Sequence, residues 1–398
     1  MHSSPAPFYL LYQTGLAPTN GTSVQLIRLL EGIEDSAIHL LWDIREAGAA
    51  SVRQSLVLDD AFQEAQRGET QGASTKQTAS AWWNGNKLND QRLREQLRRF
   101  PAQPTRAWVF CGNERDATRA SAVLSALDDP PFLLHLMDIF HNAISQRETP
   151  RLLSLIEAAS QVVCTSAVAA QEVRRHRSTE THVLPCCSNF AANGRCSWDT
   201  RFRIALTGAL WDKSMWNNSP ALDLLAAAWP EIRRQIQDVE LHYAGAFAEH
   251  LPSSLMPQVH NHGFLEPARC EQLLRNCHLA YLPVSLNTRF GPYSVPSRLA
   301  DYLACGLPTI TCTSAGTGIF SFIQAAPAGA AVNVTNTDDL VNAITELAAN
   351  PARWQRASTD AASYAKQALH ADRVRAQLLE YLDRCSASIR KPDRPSSD

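Results

Sequence analysis

Residues 296–310 read "PSRLADYLACGLPTI" and join a helical pattern to a β-branched run. Pro296 suits the first turn of a helix, where its missing N–H costs nothing. Gly306 suits the left-handed position that ends one. Between them Leu299, Tyr302 and Leu303 fall on one face, and Ser297, Arg298 and Asp301 on another. "LPTITCT" then reads as a buried strand.

The same alternation extends in both directions. "RIALTG", "VELHYAG" and "HLAYLPVS" read as strands, separated by the helical patterns "SPALDLLAAAWPEIRRQI" and "PARCEQLLRNC". In the N-terminal half, Phe8–Tyr12, His39–Ile44, Arg106–Cys111, Phe132–Met137 and "QVVCTS" are expected strands. Helical patterns follow at "SVQLIRLLEGI", "RETPRLLSLIEAAS" and "AVAAQEVRR". Strand–helix alternation of this kind predicts parallel α/β sheets, here in two consecutive domains. The polar, turn-rich stretch 186–202 reads as the connection between them. Asp338–Leu347 and Arg353–Leu382 are expected helices, the second long and followed by a polar tail. Residues 61–100 are Gln-rich and end in "QRLREQLRRF", which suits either a solvated helix or a basic face for anionic lipid.

The chain has 398 residues, 45% of them hydrophobic and 19% charged, with a net charge of -2. That balance carries no mark of a nucleic-acid partner, which would be a strongly basic domain. Ten cysteines show no disulfide framework and no paired C-x-x-C, so free thiols in a reducing cytoplasm are expected. "MHSSPAPFYLLYQTG" lacks a basic n-region and reads as a first strand rather than a leader. No stretch approaches the ~18 apolar residues of a membrane span.

Two readings fit Arg298 and Asp301. One is an i, i+3 ion pair on the helix surface. The other is a nucleotide site: phosphates at the helix tip, where free N–H groups and Arg298 meet them, and a ribose on Asp301 one turn further in. Elsewhere, "HLMDIFH" sets His135, Asp138 and His141 three apart, but a strand would make these side chains diverge, so a metal face is not expected. "GTGIFS" lacks the third glycine of a dinucleotide fingerprint and reads as a turn or acceptor-side loop. Trp211 and Trp216 flank Lys213 and suit either packing or stacking on a sugar or base.

The segment "PSRLADYLACGLPTI" resembles the P-S-[KR]-L-x-[ED]-Y-L-A-x-G-x-P signature of group 1 glycosyltransferases with the GT-B fold. "RIALTGAL" with Lys213, "LHYAG", "VHNHGFL", "HLAYLPVSL" and the run from Ala328 to Ser358 resemble the family in the same order. "TNGTSVQLIRLL", "LLHLMDIF", "VVCTSAVAAQEV" and "VLPCCSNF" resemble it more loosely.

The resemblance implies two Rossmann-like domains facing across a cleft. It implies an acceptor domain at 1–190, a linker at 191–200 and a nucleotide-sugar domain at 201–365. A helix at 366–385 would cross back to the first domain, with a disordered tail at 386–398. It implies that Asp301 binds the donor ribose, that Ser297, Arg298 and Lys213 meet the diphosphate, and that Gly208 keeps its loop close to the phosphates. Phe264 and the backbone at Gly263 would face the base, and Gly21 and Thr22 would approach the donor phosphate and acceptor. His135 or Asp138 would approach the transferred sugar or the acceptor hydroxyl.

The implied activity is transfer of a sugar from a UDP, GDP or dTDP sugar to a glycan, lipid-linked or small-molecule acceptor, in polysaccharide or glycoconjugate synthesis. It would be retaining, without metal or other cofactor, in the cytoplasm and in peripheral contact with a membrane. Three positions depart from the family: Tyr293 stands where an acid is usual, Ala209 where an arginine is, and Met137 where a histidine is. These departures keep open a nucleotide-binding protein without turnover, or an epimerase of the same fold.

Overall fold

The computed structural model describes residues 7–12, 21–31, 33, 38–42, 55–57, 105–139, 144–177, 180–191, 198, 201–210, 212–213, 216–284, 291–326, 329–333 and 335–387. The readings at 61–100, Trp211, His141 and the tail beyond 387 lie outside these residues, as does most of the expected linker.

The chain divides into two compact units. The first comprises Met1–Cys164, Ala170–Leu184 and Arg375–Asp398; the second comprises Thr165–Ala169 and Pro185–Val374. In chain order the first unit contributes β1 (Phe8–Tyr12), α1 (Gly21–Leu30), β2 (Ile38–Trp42), β3 (Ser55–Val57), β4 (Ala107–Cys111), α2 (Glu114–Ala126), β5 (Phe132–Leu136), α3 (Pro150–Ala158) and β6 (Gln161–Cys164). After α4 (Ala167–Arg174) it closes with β7 (Thr181–Val183). Its seven-stranded sheet has the order β3-β2-β1-β4-β5-β6-β7, with every pairing parallel.

The second unit runs β8 (Phe202–Thr207), β9 (Asp212–Lys213), β10 (Trp216–Asn217), α5 (Ser219–Gln235), β11 (Val239–Ala244), β12 (Val259–Asn261), α6 (Pro267–Arg275), β13 (Leu279–Pro283), α7 (Arg298–Ala304), β14 (Thr309–Thr313), α8 (Gly318–Ala325), β15 (Gly329–Asn333), α9 (Thr337–Ala349) and α10 (Pro351–Tyr364). Its six-stranded parallel sheet has the order β12-β11-β8-β13-β14-β15. Both sheets are thus doubly wound: the strand order reverses beside the first strand of each. Such a sheet opens a crevice at the carboxyl ends of the two strands that flank the reversal. In the second unit those strands are β8 and β13.

Parallel sheets covered on both faces demand apolar side chains on both sides of each strand. In the second unit the alternation sorts them cleanly. Ile204 and Leu206 of β8 and Tyr281 of β13 join one core with Trp229 of α5. Ala205 and Leu282 join the opposite core with Leu299, Tyr302 and Leu303 of α7. The apolar face expected for the 296–310 segment is therefore the face that buries.

The long helix expected over Arg353–Leu382 is broken. α10 passes through a π-helical turn at Ala365–Leu369, and a new helix, α11 (Ala371–Ala387), starts after His370. His370 adopts an extended conformation and pairs with Ser188 in an isolated bridge. Within the first unit, Arg375 of α11 donates to the carbonyls of Leu29 (Nε, 3.1 Å) and Arg28 (Nη2, 3.0 Å), capping the end of α1.

Candidate active site

α7 starts at Arg298, two residues after the expected Pro296. Its entry is tightened by i→i+3 bonds, from Leu299 N–H to Pro296 O at 3.0 Å and from Ala300 N–H to Ser297 O at 3.1 Å. Its exit is a Schellman turn. Gly306 has φ +71, its N–H bonds Leu303 O, and the Leu307 N–H bonds Tyr302 O.

The guanidinium of Arg298 lies at the strand reversal. Nη1 donates to Thr207 O at 2.7 Å, the last carbonyl of β8, and Nη2 to Pro283 O at 3.4 Å, the last of β13. Nε is buried with no hydrogen-bond partner among the described residues. A fixed cation thus sits between the two diverging strands, where a doubly wound sheet binds ligands.

Two tyrosines hold the loop that follows β8. The Tyr302 hydroxyl accepts the Thr207 N–H at 2.9 Å and lies 2.9 Å from Thr207 Oγ1. The Tyr243 hydroxyl lies 3.0 Å from Gly208 O and 2.5 Å from Ala246 O. Burial pushes both phenols above their ordinary range, so both stay neutral. Gly208 takes φ +92, and a Cβ there would stand 2.3 Å from Arg298 Nη1. A Cβ on Gly245 would stand 2.1 Å from Gly208 O. The loop is as close to its neighbours as glycine allows.

Asp301 lies one turn into α7, half-buried, and accepts a hydrogen bond from Ser188 Oγ at 2.6 Å. Arg298 and Asp301 are therefore engaged by different partners, the strand ends and Ser188. The i, i+3 surface pair is not how this helix uses them. Ser188 belongs to the stretch read as a connection, and no periodicity there marked it. Ser297 is half-buried and caps no backbone N–H with its side chain. Phe264 follows β12 and is 61% exposed, and Gly263 before it has φ +64. Gly245 N–H bonds Gly263 O at 2.8 Å, which sets the Phe264 loop beside the Gly208 loop. Lys213 lies on the two-residue strand β9, paired with Trp216.

At the position of the missing acid, Tyr293 is buried. Its carbonyl accepts from Ser166 Oγ at 2.7 Å, and a Cβ on Gly318 would lie 3.0 Å from that Oγ and 3.2 Å from that carbonyl. "GTGIFS" is accordingly a turn that opens α8, with Thr317 capping the Phe320 N–H.

In the first unit, the expectation for His135 is corrected. It lies within β5, is 1% exposed and packs on Phe110 and Trp108, with ring centroids 4.4 and 6.0 Å away. Neither ring nitrogen has a hydrogen-bond partner among the described residues, and burial pushes its pKa down to about 3. A ring sealed inside a two-faced sheet does not exchange protons with a substrate. Asp138 lies beyond the strand end and is half-buried. Gly21 and Thr22 open α1. Among the described residues no three His, Cys, Asp or Glu side chains converge on a metal position. No helix among them is long and apolar enough to cross a membrane.

Residues 202–350 match the family model for group 1 glycosyl transferases. No curated protein matches the sequence. Among solved structures, the chain is similar to Anabaena HepE in complex with UDP, with 16% identity and TM-score 0.66 over 95% of this chain and 99% of that one. The sucrose-phosphate synthase of Thermosynechococcus elongatus is similar at 14% identity and TM-score 0.64, over 96% of this chain and 100% of that one. The trehalose 6-phosphate synthase of Burkholderia multivorans is similar at 12% and 0.61, over 99% and 100%. Residues 202–350 thus match the group 1 glycosyl transferases, and the chain as a whole shares the GT-B fold of these solved structures.

Proposed function

We propose that the chain transfers a sugar from a nucleoside diphosphate sugar to an acceptor hydroxyl. The donor diphosphate lies at the strand reversal of the second unit and its ribose on Asp301. The observation that carries this is the Arg298 guanidinium held between the carbonyl ends of β8 and β13, with a carboxylate one turn along the same helix. Breaking the anomeric C–O bond loads negative charge onto the leaving diphosphate. Preorganised donors that meet that charge lower the barrier. Arg298 and Lys213 supply them, so the reaction runs without a divalent cation. The exposed Phe264 faces the base. The Anabaena neighbour was solved with UDP and with UDP-glucose, which makes uridine donors the first to try.

The reaction is retaining in this reading, with the leaving phosphate itself taking the acceptor proton. Asp138, beyond the end of β5, is the first-unit residue that this reading assigns to the transferred sugar or the acceptor hydroxyl. The acceptor is a glycan, a lipid-linked sugar or a small molecule in polysaccharide or glycoconjugate synthesis, and peripheral membrane contact fits a lipid-linked one. In this reading the work is done in the cytoplasm.

Thermal shift with UDP, GDP and dTDP in EDTA tests the donor site. At least one raises the Tm; no shift with any of them overturns the assignment. Asp301→Ala keeps the fold and weakens nucleotide binding. Tyr293 in place of an acid favours a second reading, a nucleotide binder without turnover. Release of free diphosphate only when an acceptor is present separates transfer from that reading, and interconversion of the sugar alone would identify an epimerase.

A further inference from the structure

We infer that Ser188 is a positioning residue that orients the Asp301 carboxylate for the ribose hydroxyls; this rests on the donor-site reading above. The two residues are 113 positions apart in sequence, and Ser188 Oγ donates to Asp301 Oδ1 at 2.6 Å. A hydroxyl hydrogen bond to a carboxylate of that length is charge-assisted and stronger than a neutral one. Ser188 Oγ in turn accepts the Phe190 N–H at 3.1 Å. The amide polarises the hydroxyl, so the chain N–H···O–H···O⁻ strengthens its last member.

The serine is also held from behind. Its N–H donates to Leu369 O at 2.9 Å, and its carbonyl accepts the Ala371 N–H at 3.0 Å. Both partners flank His370, the extended residue between the π-helical turn and α11. Ser188 is 1% exposed, whereas Asp301 is half-buried. The donor of the pair is thus fixed inside the protein and the acceptor reaches the surface.

A carboxylate has about four lone-pair directions. One oxygen of Asp301 is bonded to Ser188, which restricts the χ angles of the carboxylate. A free aspartate would distribute over several rotamers and lose affinity for a ligand that needs one. A nucleotide without ribose hydroxyls gains nothing from that orientation.

The test is calorimetric titration of whichever of the ribonucleotides UDP and GDP stabilises the protein more, together with its 2′,3′-dideoxy form. The proteins are the full-length chain, Ser188→Ala, Asp301→Asn and the double variant. Ser188→Cys, close in size and a weak donor, runs in parallel in case the alanine form does not fold. Ser188→Ala and Ser188→Cys weaken the ribonucleotide by about tenfold, the cost of ordering a freed carboxylate on binding. They leave the dideoxy form unchanged and add nothing in the Asp301→Asn background. Equal weakening of both nucleotides, or no weakening, overturns the role of Ser188 while Asp301→Asn still shows a ribose-dependent loss. If Asp301→Asn shows none, or no nucleotide binds, the donor-site reading fails instead.

Discussion

The guanidinium of Arg298 fills the space that a side chain at position 208 would need: a Cβ on Gly208 would lie 2.3 Å from Nη1. Gly208→Ala therefore has two costs. One is left-handed backbone strain at φ +92, and the other is displacement of the cation from the Thr207 carbonyl. Together they destabilise by about 2–4 kcal/mol and abolish measurable nucleotide binding. Chemical denaturation gives the first and calorimetry the second. In an Arg298→Ala background the same change costs only the strain, so a double-mutant cycle shows a coupling of about 1 kcal/mol or more.

Tyr302→Phe deletes one oxygen and no volume. It leaves the buried Thr207 N–H and Oγ1 without their partner. Orphaned buried polar groups cost about 1–3 kcal/mol. Denaturant midpoints measure this, with the slope m unchanged. The Gly208 loop also loses its anchor on that side, so nucleotide affinity falls with stability.

His135 contributes to the acid limb of stability. Its folded pKa is pushed down to about 3 by burial, against an ordinary value near 6.5 in the unfolded chain. Between those values the unfolded state binds the extra proton. Stability is therefore full above pH ~6.5 and declines as pH falls towards 3, by up to ~1.4 kcal/mol per pH unit. His135→Leu removes two unpartnered ring nitrogens, flattens this limb in melts taken from pH 7.5 to 4.5, and keeps stability at pH 7. It also leaves glycosyl transfer intact, which a proton-transferring histidine would not.

Phe264→Ala changes an exposed ring. Stability shifts by no more than about 0.5 kcal/mol, while nucleotide affinity falls about tenfold because stacking on the base is lost. The loss disappears for a probe without a base, inorganic pyrophosphate.

The parts of the fold that follow from local chemistry were legible from residues alone. Pro296 and Gly306 bracketed α7 to within two residues, and the spacing of Leu299, Tyr302 and Leu303 marked its buried face. His135 misled because a strand in a parallel sheet is covered on both faces, so alternation does not say which polar side chain reaches solvent. Phe110 and Trp108 on the neighbouring strand close over it. The helix break at His370 carries no glycine or proline as a sign; the extended residue there pairs with Ser188, far away in the chain.

Sequence by itself determined the alternation that builds two parallel sheets, the helix that carries Arg298 and Asp301, and the glycine at 208. Each depends on side chains within a few positions of one another, where periodicity and backbone preference act. Only the tertiary structure decided what those charges do. Arg298 binds the carbonyls of Thr207 and Pro283, and Asp301 is held by Ser188, 113 residues earlier. Hydrogen bonds made where a strand order reverses join residues that are distant in the chain, and no local pattern encodes which of them will meet.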